Sequence, residues 1–249
     1  MAPGTRLSEP PRRRPDRPLP AGVDLPALLP GEDLTVLMDA IVLVQARDGY
    51  RFGEDAVALA RHVLETGPRG PLLEIGTGSG VIPLVLAHRG WEDPIWAVEF
   101  QEALADRAAR NVRANHRDRQ VRVIRGDARD PATWLPAGTT FPRVVSNPPF
   151  WPVGSGRRNP HPEKEAARHE VFLDLPGLLR TIRTALAPGG IATVLLPMSR
   201  LGEIHREARA LGLWLHHWTE LLPAARPSRA LVAVDLAPGP TPPGGSPHS

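Results

Sequence analysis

Pro71-Leu72-Leu73-Glu74-Ile75-Gly76-Thr77-Gly78-Ser79-Gly80 is a short apolar run that breaks into a glycine cluster. The run is too short for a helix and reads as a buried strand. Val81 to His88 follows as a helix. Glycines between a strand and a helix let the backbone turn tightly and approach a ligand closely. The spacing is G-x-G-x-G rather than G-x-G-x-x-G, and an acid, Glu74, precedes the first glycine.

Working outward, strands and helices alternate. Upstream, Asp33-Leu34-Thr35 starts a predicted helix to about Val44, and Glu54 to Leu64 carries apolar residues at helical spacing. Downstream, Pro94 to Glu99 is a strand, Glu102 to Asn115 a helix, Val121 to Ile124 a strand, and Arg143 to Ser146 a fourth strand. A helix from about Leu173 to Leu186 stops at Pro188-Gly189-Gly190. Ile191 to Leu196 is a fifth strand, Leu201 to Leu211 a helix, and Leu213 to Leu221 and Ala230 to Leu236 are closing strands. Strands separated by helices of 10–15 residues imply a parallel sheet covered on both faces. The expected fold is therefore α/β: a Rossmann-like, mostly parallel seven-stranded sheet with a short N-terminal helical extension. Ligands in such sheets bind at the carboxyl ends of the strands.

The glycine loop alone does not name its ligand, because dinucleotide enzymes use similar loops. A pyrophosphate would want the third glycine one step later. S-adenosylmethionine has no phosphate, and its ammonium favours a carboxylate such as Glu74. Glu99 ends the second strand of the αβ series, where a carboxylate accepts the hydroxyls of an adenosine ribose; NAD fits that position equally well. Asp127 follows the third strand in Arg125-Gly126-Asp127-Ala128. Its carboxylate is placed to accept from an adenine amino group, and the Ala128 amide to donate to the ring. The bland alternative for each acid is a helix N-cap or a solvated loop carboxylate.

Asn147-Pro148-Pro149-Phe150 sits directly after the fourth strand. An amine attached to an aromatic base is conjugated, so its lone pair is poorly available. The Asn147 side-chain oxygen and the Pro148 carbonyl can accept its two N–H bonds and turn the lone pair towards a sulfonium methyl. That is orientation plus stabilisation of developing positive charge. Consecutive prolines stiffen the loop. Phe150 offers a face for a flipped-out base, worth about 1–3 kcal/mol. A bare proline-rich turn is the competing reading, and the position four strands into this pattern argues against it.

Together the glycine loop, the ribose acid and N-P-P-F resemble the class I amino-methyltransferases. Gln45 and Gly49-Tyr50-Arg51-Phe52-Gly53-Glu54-Asp55-Ala56 narrow the resemblance to the bacterial tRNA (valine-type) adenine-37 N6-methyltransferase family. Ala167-Arg168-His169-Glu170 and Arg226-Pro227-Ser228-Arg229-Ala230-Leu231-Val232 point the same way. The resemblance spans about Asp33 to Leu236. It implies S-adenosylmethionine bound near Glu74, Gly76, Thr77, Gly78, Gly80, Glu99, Asp127, Ala128 and Asn147, with Arg51, Phe52 and Asp55 closing over it. It implies catalysis by Asn147, Pro148 and Phe150, the last standing where the family commonly has tyrosine. The expected RNA contacts are Pro149, Phe150, Trp151, Arg157, Arg158, Lys164 and Arg168. Three other readings compete. Release-factor glutamine N5-methyltransferases and rRNA guanine-N2 methyltransferases use related motifs, and a binding protein can retain the fold without activity.

Composition narrows the remaining classes. The 249 residues allow one sizeable α/β domain. Cysteine is absent, which removes disulfides, thiolate zinc sites and cysteine nucleophiles. His216-His217 has no ligand partners nearby in the sequence, so no metal is expected. No apolar run approaches a membrane span, and the N-terminal arginines lack the apolar segment of a secretory signal; a cytoplasmic location is expected. The net charge of +3 is matched by residues 1–20 alone, where five arginines face Glu9 and Asp16. RNA contact must then come from a local patch or from that arm. Residues 1–30 and 237–249, rich in Pro with Arg or with Gly and Ser, are read as disordered tails around a single domain, 31–236, whose first part, 31–70, is the helical extension.

Overall fold

The computed structural model describes residues 19–48, 51–148, 174–222 and 230–239. A hairpin comes first, β1 (Glu32–Leu37) and β2 (Ile41–Ala46), followed by helix α1 (Glu54–Glu65). Then follow β3 (Leu72–Ile75), α2 (Val81–His88), β4 (Ile95–Glu99), α3 (Glu102–Ala114), β5 (Val121–Arg125) and β6 (Phe141–Ser146). The remainder is α4 (Leu175–Ala185), β7 (Leu186–Pro197), α5 (Leu201–Ala210), β8 (Leu213–Leu222) and β9 (Leu231–Pro238).

Seven strands form one sheet in the order β5-β4-β3-β6-β7-β9-β8. All are parallel except β9, which runs against both neighbours. Apolar residues alternate along each central strand and supply two cores. Leu73, Ile75, Val144, Val194 and Val234 pack with Leu178, Leu179 and Ile182 of α4 and Ile204 of α5. Leu72, Val145, Leu195 and Ala233 face Leu59 and Val63 of α1, Leu84 and Leu86 of α2, and Val112 of α3. The period of two thus puts helices on both faces.

Strand order reverses at β3. The chain places β4 and β5 on one side and then crosses to β6 on the other. Ligands of open α/β sheets sit in the crevice at such a switch point, outside the strand carboxyl ends. The registers bring the ends level: Ile75 pairs with Val98 on one side and Ser146 on the other. The Ser146 hydroxyl donates to the Ile75 carbonyl at 2.8 Å and ties the two strand ends together.

The N-terminal region differs from the sequence reading. Residues 33–44, expected as a helix, are a β-hairpin with Met38 and Asp39 in the left-handed region of its turn. The extension over 31–70 is therefore a hairpin plus one helix. The reason is tertiary. Asn111 and Asn115, one turn apart on α3, each accept from and donate to the backbone of one β2 residue, Val44 and Val42 respectively. Four helical residues advance about 6 Å and two strand residues about 6.6 Å, so the amides match the strand repeat. These side chains satisfy the strand edge that an isolated hairpin would leave open. Charge holds the other end: Glu32 is buried against Arg107 and Arg110 at 3.1 and 2.6 Å. Burial alone would raise the Glu32 carboxyl, but the two arginines and the Leu29 amide outweigh it and hold it low.

The limits of the expected tails also shift. Part of 19–30 is docked, since Asp24 donates its amide to the Ala114 carbonyl at 2.8 Å and Arg110 donates to the Ala27 carbonyl. At the other end β9 continues to Pro238. β7 starts at Leu186, directly after α4, so the Pro188-Gly189-Gly190 stop lies within the strand. Among the described residues, no helix is long and apolar enough to cross a membrane.

Candidate active site

At the switch point a cleft is lined by Glu74, Gly76, Thr77 and Ser79, by Val81 and Ile82 of α2, by Phe52 and Ala56 from the start of α1, and by Asn147. The glycine loop and the residue after β6, 71 positions apart from Gly76 in sequence by subtraction, share one cavity because β3 and β6 are neighbours. Gly76 and Gly80 have φ of 80° and 81°, a region that disfavours side chains. Gly80 caps α2, and a Cβ there would meet Ala108 of α3 at 3.4 Å.

Glu74 is fully enclosed. Burial pushes its carboxyl up to about 8, the Thr77 hydroxyl bond to it partly offsets this, and the charge of Glu99 reinforces it. A buried carboxylate in such a place is stabilised by a cation, and an ammonium supplies one. The Ser79 hydroxyl, 2% exposed as a residue, has no hydrogen-bond partner among the described residues. A buried carboxyl short of positive charge and a spare hydroxyl in the same cleft fit the amino-acid end of S-adenosylmethionine.

Glu99 closes the loop from the side. Its Oε2 accepts from the Gly78 amide at 2.8 Å and its Oε1 from the Gln101 amide at 2.9 Å. These bonds fix the carboxylate at the end of β4. Asp127 is engaged differently from the sequence expectation. Its two oxygens take the Arg129 guanidinium, the shortest contact being 2.6 Å, and the Arg129 hydrogen bonds hold its carboxyl low. The same guanidinium lies 5.8 Å over the ring of Phe100, an exposed aromatic beside Glu99. Ala128 is buried in the core, and its carbonyl accepts from Thr181 of α4.

The segment before α1 divides in two. Phe52 lines the cleft, and its amide donates to Gln45 of β2 at 3.2 Å. Arg51 turns to the hairpin, donating to the Ala46 carbonyl and the Thr35 hydroxyl, and lies 3.7 Å from Asp33. It does not line the cleft. Asp55, in the first turn of α1, accepts from the Asn147 Nδ2 at 2.7 Å. That contact was not legible in the sequence, nor was Ser79 as part of the cleft. Pro148 follows Asn147 in the described chain, whereas Pro149, Phe150, Trp151, Arg157, Arg158, Lys164 and Arg168 lie outside the described residues.

The methyltransferase small domain family matches residues 53–159. The tRNA1(Val) (adenine(37)-N6)-methyltransferase of Citrobacter koseri is 30% identical over 204 residues, covering 75% of this chain and 81% of the relative. That of Porphyromonas gingivalis is 31% identical over 202 residues, covering 76% and 78%. Among solved structures, TrmN from Thermus thermophilus superposes with a TM-score of 0.54 at 24% identity over 74% of this chain and 48% of its own. The tRNA m1G37 methyltransferase of M. jannaschii gives 0.60 at 11% identity over 85% and 58%. This chain thus spans about half to three-fifths of those two longer proteins, which share its fold. On the sequence relationship, the chain belongs to the tRNA1(Val) (adenine(37)-N6)-methyltransferase family.

Proposed function

We propose that the protein transfers a methyl group from S-adenosylmethionine to the N6 amine of an adenine in tRNA. The observation that carries this reading is Asn147 in the same cleft as Glu74 and the glycine loop. Bound S-adenosylmethionine supplies an electrophilic methyl on a sulfonium. Glu74 and Ser79 hold its amino-acid end, and Glu99 its ribose. Asn147 Oδ1 and the Pro148 carbonyl accept the two N–H bonds of the target amine and orient its lone pair. As the nitrogen gains positive charge, those oxygens are already in place. The methylated nitrogen is strongly acidic and loses its proton after transfer, so no strong base is required before it.

Phe150 and Trp151 are proposed to stack on the base, and Arg157, Arg158, Lys164 and Arg168 to meet phosphate. The basic arm at the N-terminus extends that contact. The relatives' names support position 37 of a valine tRNA as the target and a cytoplasmic setting.

Tritiated S-adenosylmethionine incubated with the protein and either total tRNA, rRNA or release factor decides the acceptor. Label recovered from tRNA as N6-methyladenosine is expected. Label only in protein or only in rRNA guanine would overturn the adenine reading, and cofactor binding without transfer to any acceptor would favour a binding protein.

A further inference from the structure

We propose that Asp55 is a positioning residue for methyl transfer, fixing which end of the Asn147 amide meets the acceptor nitrogen. This rests on the amine-methylating reading of the site.

An asparagine amide has nearly the same shape either way round, but its two ends have opposite hydrogen-bonding character. Only the oxygen end can accept from the target amine. With the amide reversed, N–H would face N–H and the lone pair would not be aimed. Something must therefore choose the orientation before substrate arrives. Asp55 Oδ2 lies 2.7 Å from Asn147 Nδ2. An ionised carboxylate only accepts, so it pairs with the NH2 end alone and leaves Oδ1 for the substrate. Its negative charge behind the amide also favours the positive charge that develops on the nitrogen.

The fold is arranged for this contact across 92 positions of sequence. Asp55 lies in the first turn of α1, which is held against the sheet by Leu59 and Val63. Gly53 precedes it, and a Cβ there would come within 2.3 Å of Asp55 Oδ1. The missing side chain is what leaves the carboxylate room. Phe52, held by Gln45, fixes the chain just before the turn.

The test compares D55A, D55N, N147D and the double variant D55N/N147D with the wild type. Single-turnover rates on tRNA are measured at saturating cofactor and RNA, with cofactor affinity by calorimetry and folding by circular dichroism. D55A should lose roughly 10- to 150-fold in rate, the span of one charge-assisted hydrogen bond, with cofactor affinity within about twofold. N147D sets two carboxylates against each other. D55N added to it restores a donor–acceptor pair in reversed order, and should recover at least about tenfold relative to N147D alone. Unchanged rate in D55A, or a loss that follows weakened cofactor binding, would overturn the proposal. A second readout needs no substrate: the Asn147 side-chain amide signals in a 15N spectrum, assigned by their loss in N147A, should shift and exchange faster in D55A. If they do not move, the positioning contact is refuted. If they move but the wild type leaves tRNA unlabelled, the contact stands and the tRNA acceptor is wrong.

Discussion

His62 Nε2 lies 3.0 Å from Asp235 Oδ2, joining α1 to the one antiparallel strand inside the sheet. Both side chains are buried, and Asp235 also accepts from Thr193 at 2.5 Å. Arg143 is buried close by, and among the described residues its Nε and Nη1 have no hydrogen-bond partner. Burial lowers the Arg143 guanidinium to about 10, while the charge of Asp235 supports it. Burial alone would raise the Asp235 carboxyl, but His62, Thr193 and Arg143 outweigh that and hold it low. Asp235→Asn should destabilise the fold, because it removes the negative charge that faces His62 and supports the buried Arg143. Because the folded carboxyl titrates lower than the unfolded one, its contribution is present at neutral pH and lost as pH falls through the folded value. Urea unfolding from pH 3 to 7 should therefore show a steeper acid loss for wild type than for the variant.

Asn111→Ala removes the partners of the Val44 amide and carbonyl and of the Ser79 carbonyl. A loss of about 2–3 kcal/mol is expected, since buried groups are left unsatisfied. Hydrogen exchange of Val44 should accelerate more than that of Val42, which Asn115 still holds.

Glu74 titrates near 8 in the folded chain against an ordinary value near 4.5. Its contribution to stability is full below pH 4.5 and declines as pH rises to 8, by at most about 5 kcal/mol. Glu74→Gln should remove that alkaline decline. The same substitution should weaken cofactor binding, because a neutral amide cannot balance an ammonium. In the wild type, affinity should rise from pH 6 to 8 as the carboxyl ionises; calorimetry in buffers of different ionisation heat would reveal the released proton.

Gly53→Ala introduces a methyl that crowds the Asp55 carboxylate on a backbone with φ of −106°, which alanine tolerates. Melting temperature should change little, while the transfer rate should fall several-fold. An unaffected rate would mean that the carboxylate finds its place without the space.

The central sheet was legible because each strand is a short apolar run set between glycines, prolines and helices. Glu74 and Asn147, which share the cleft, and Glu99 were picked out for the same reason: each stands at or beside a strand end, where the pattern changes. The hairpin was not. Ile41-Val42-Leu43-Val44 is apolar throughout and fits either period, and what decides it is the pair of asparagines 67 to 73 positions away. Asp127 was read as a ligand for adenine from its position, and its pairing with Arg129, two residues on, was not foreseen. Arg51 was read as closing over the cofactor, and its hydrogen bonds to β1 and β2 were not foreseen. Contacts between distant segments, such as Asp55 with Asn147, leave no local periodic trace.

The pairing of Ile75 with Ser146 has an evolutionary corollary. A slip of one residue would carry Asn147 about 3.3 Å along the strand and invert its face. The placement of Asn147 relative to the glycine loop is thus a property of a hydrogen-bonded ladder between two buried strands. On the proposed reading, target choice is then left to the RNA-contacting residues after Phe150, while Asn147 to Phe150 stay tied to the ladder.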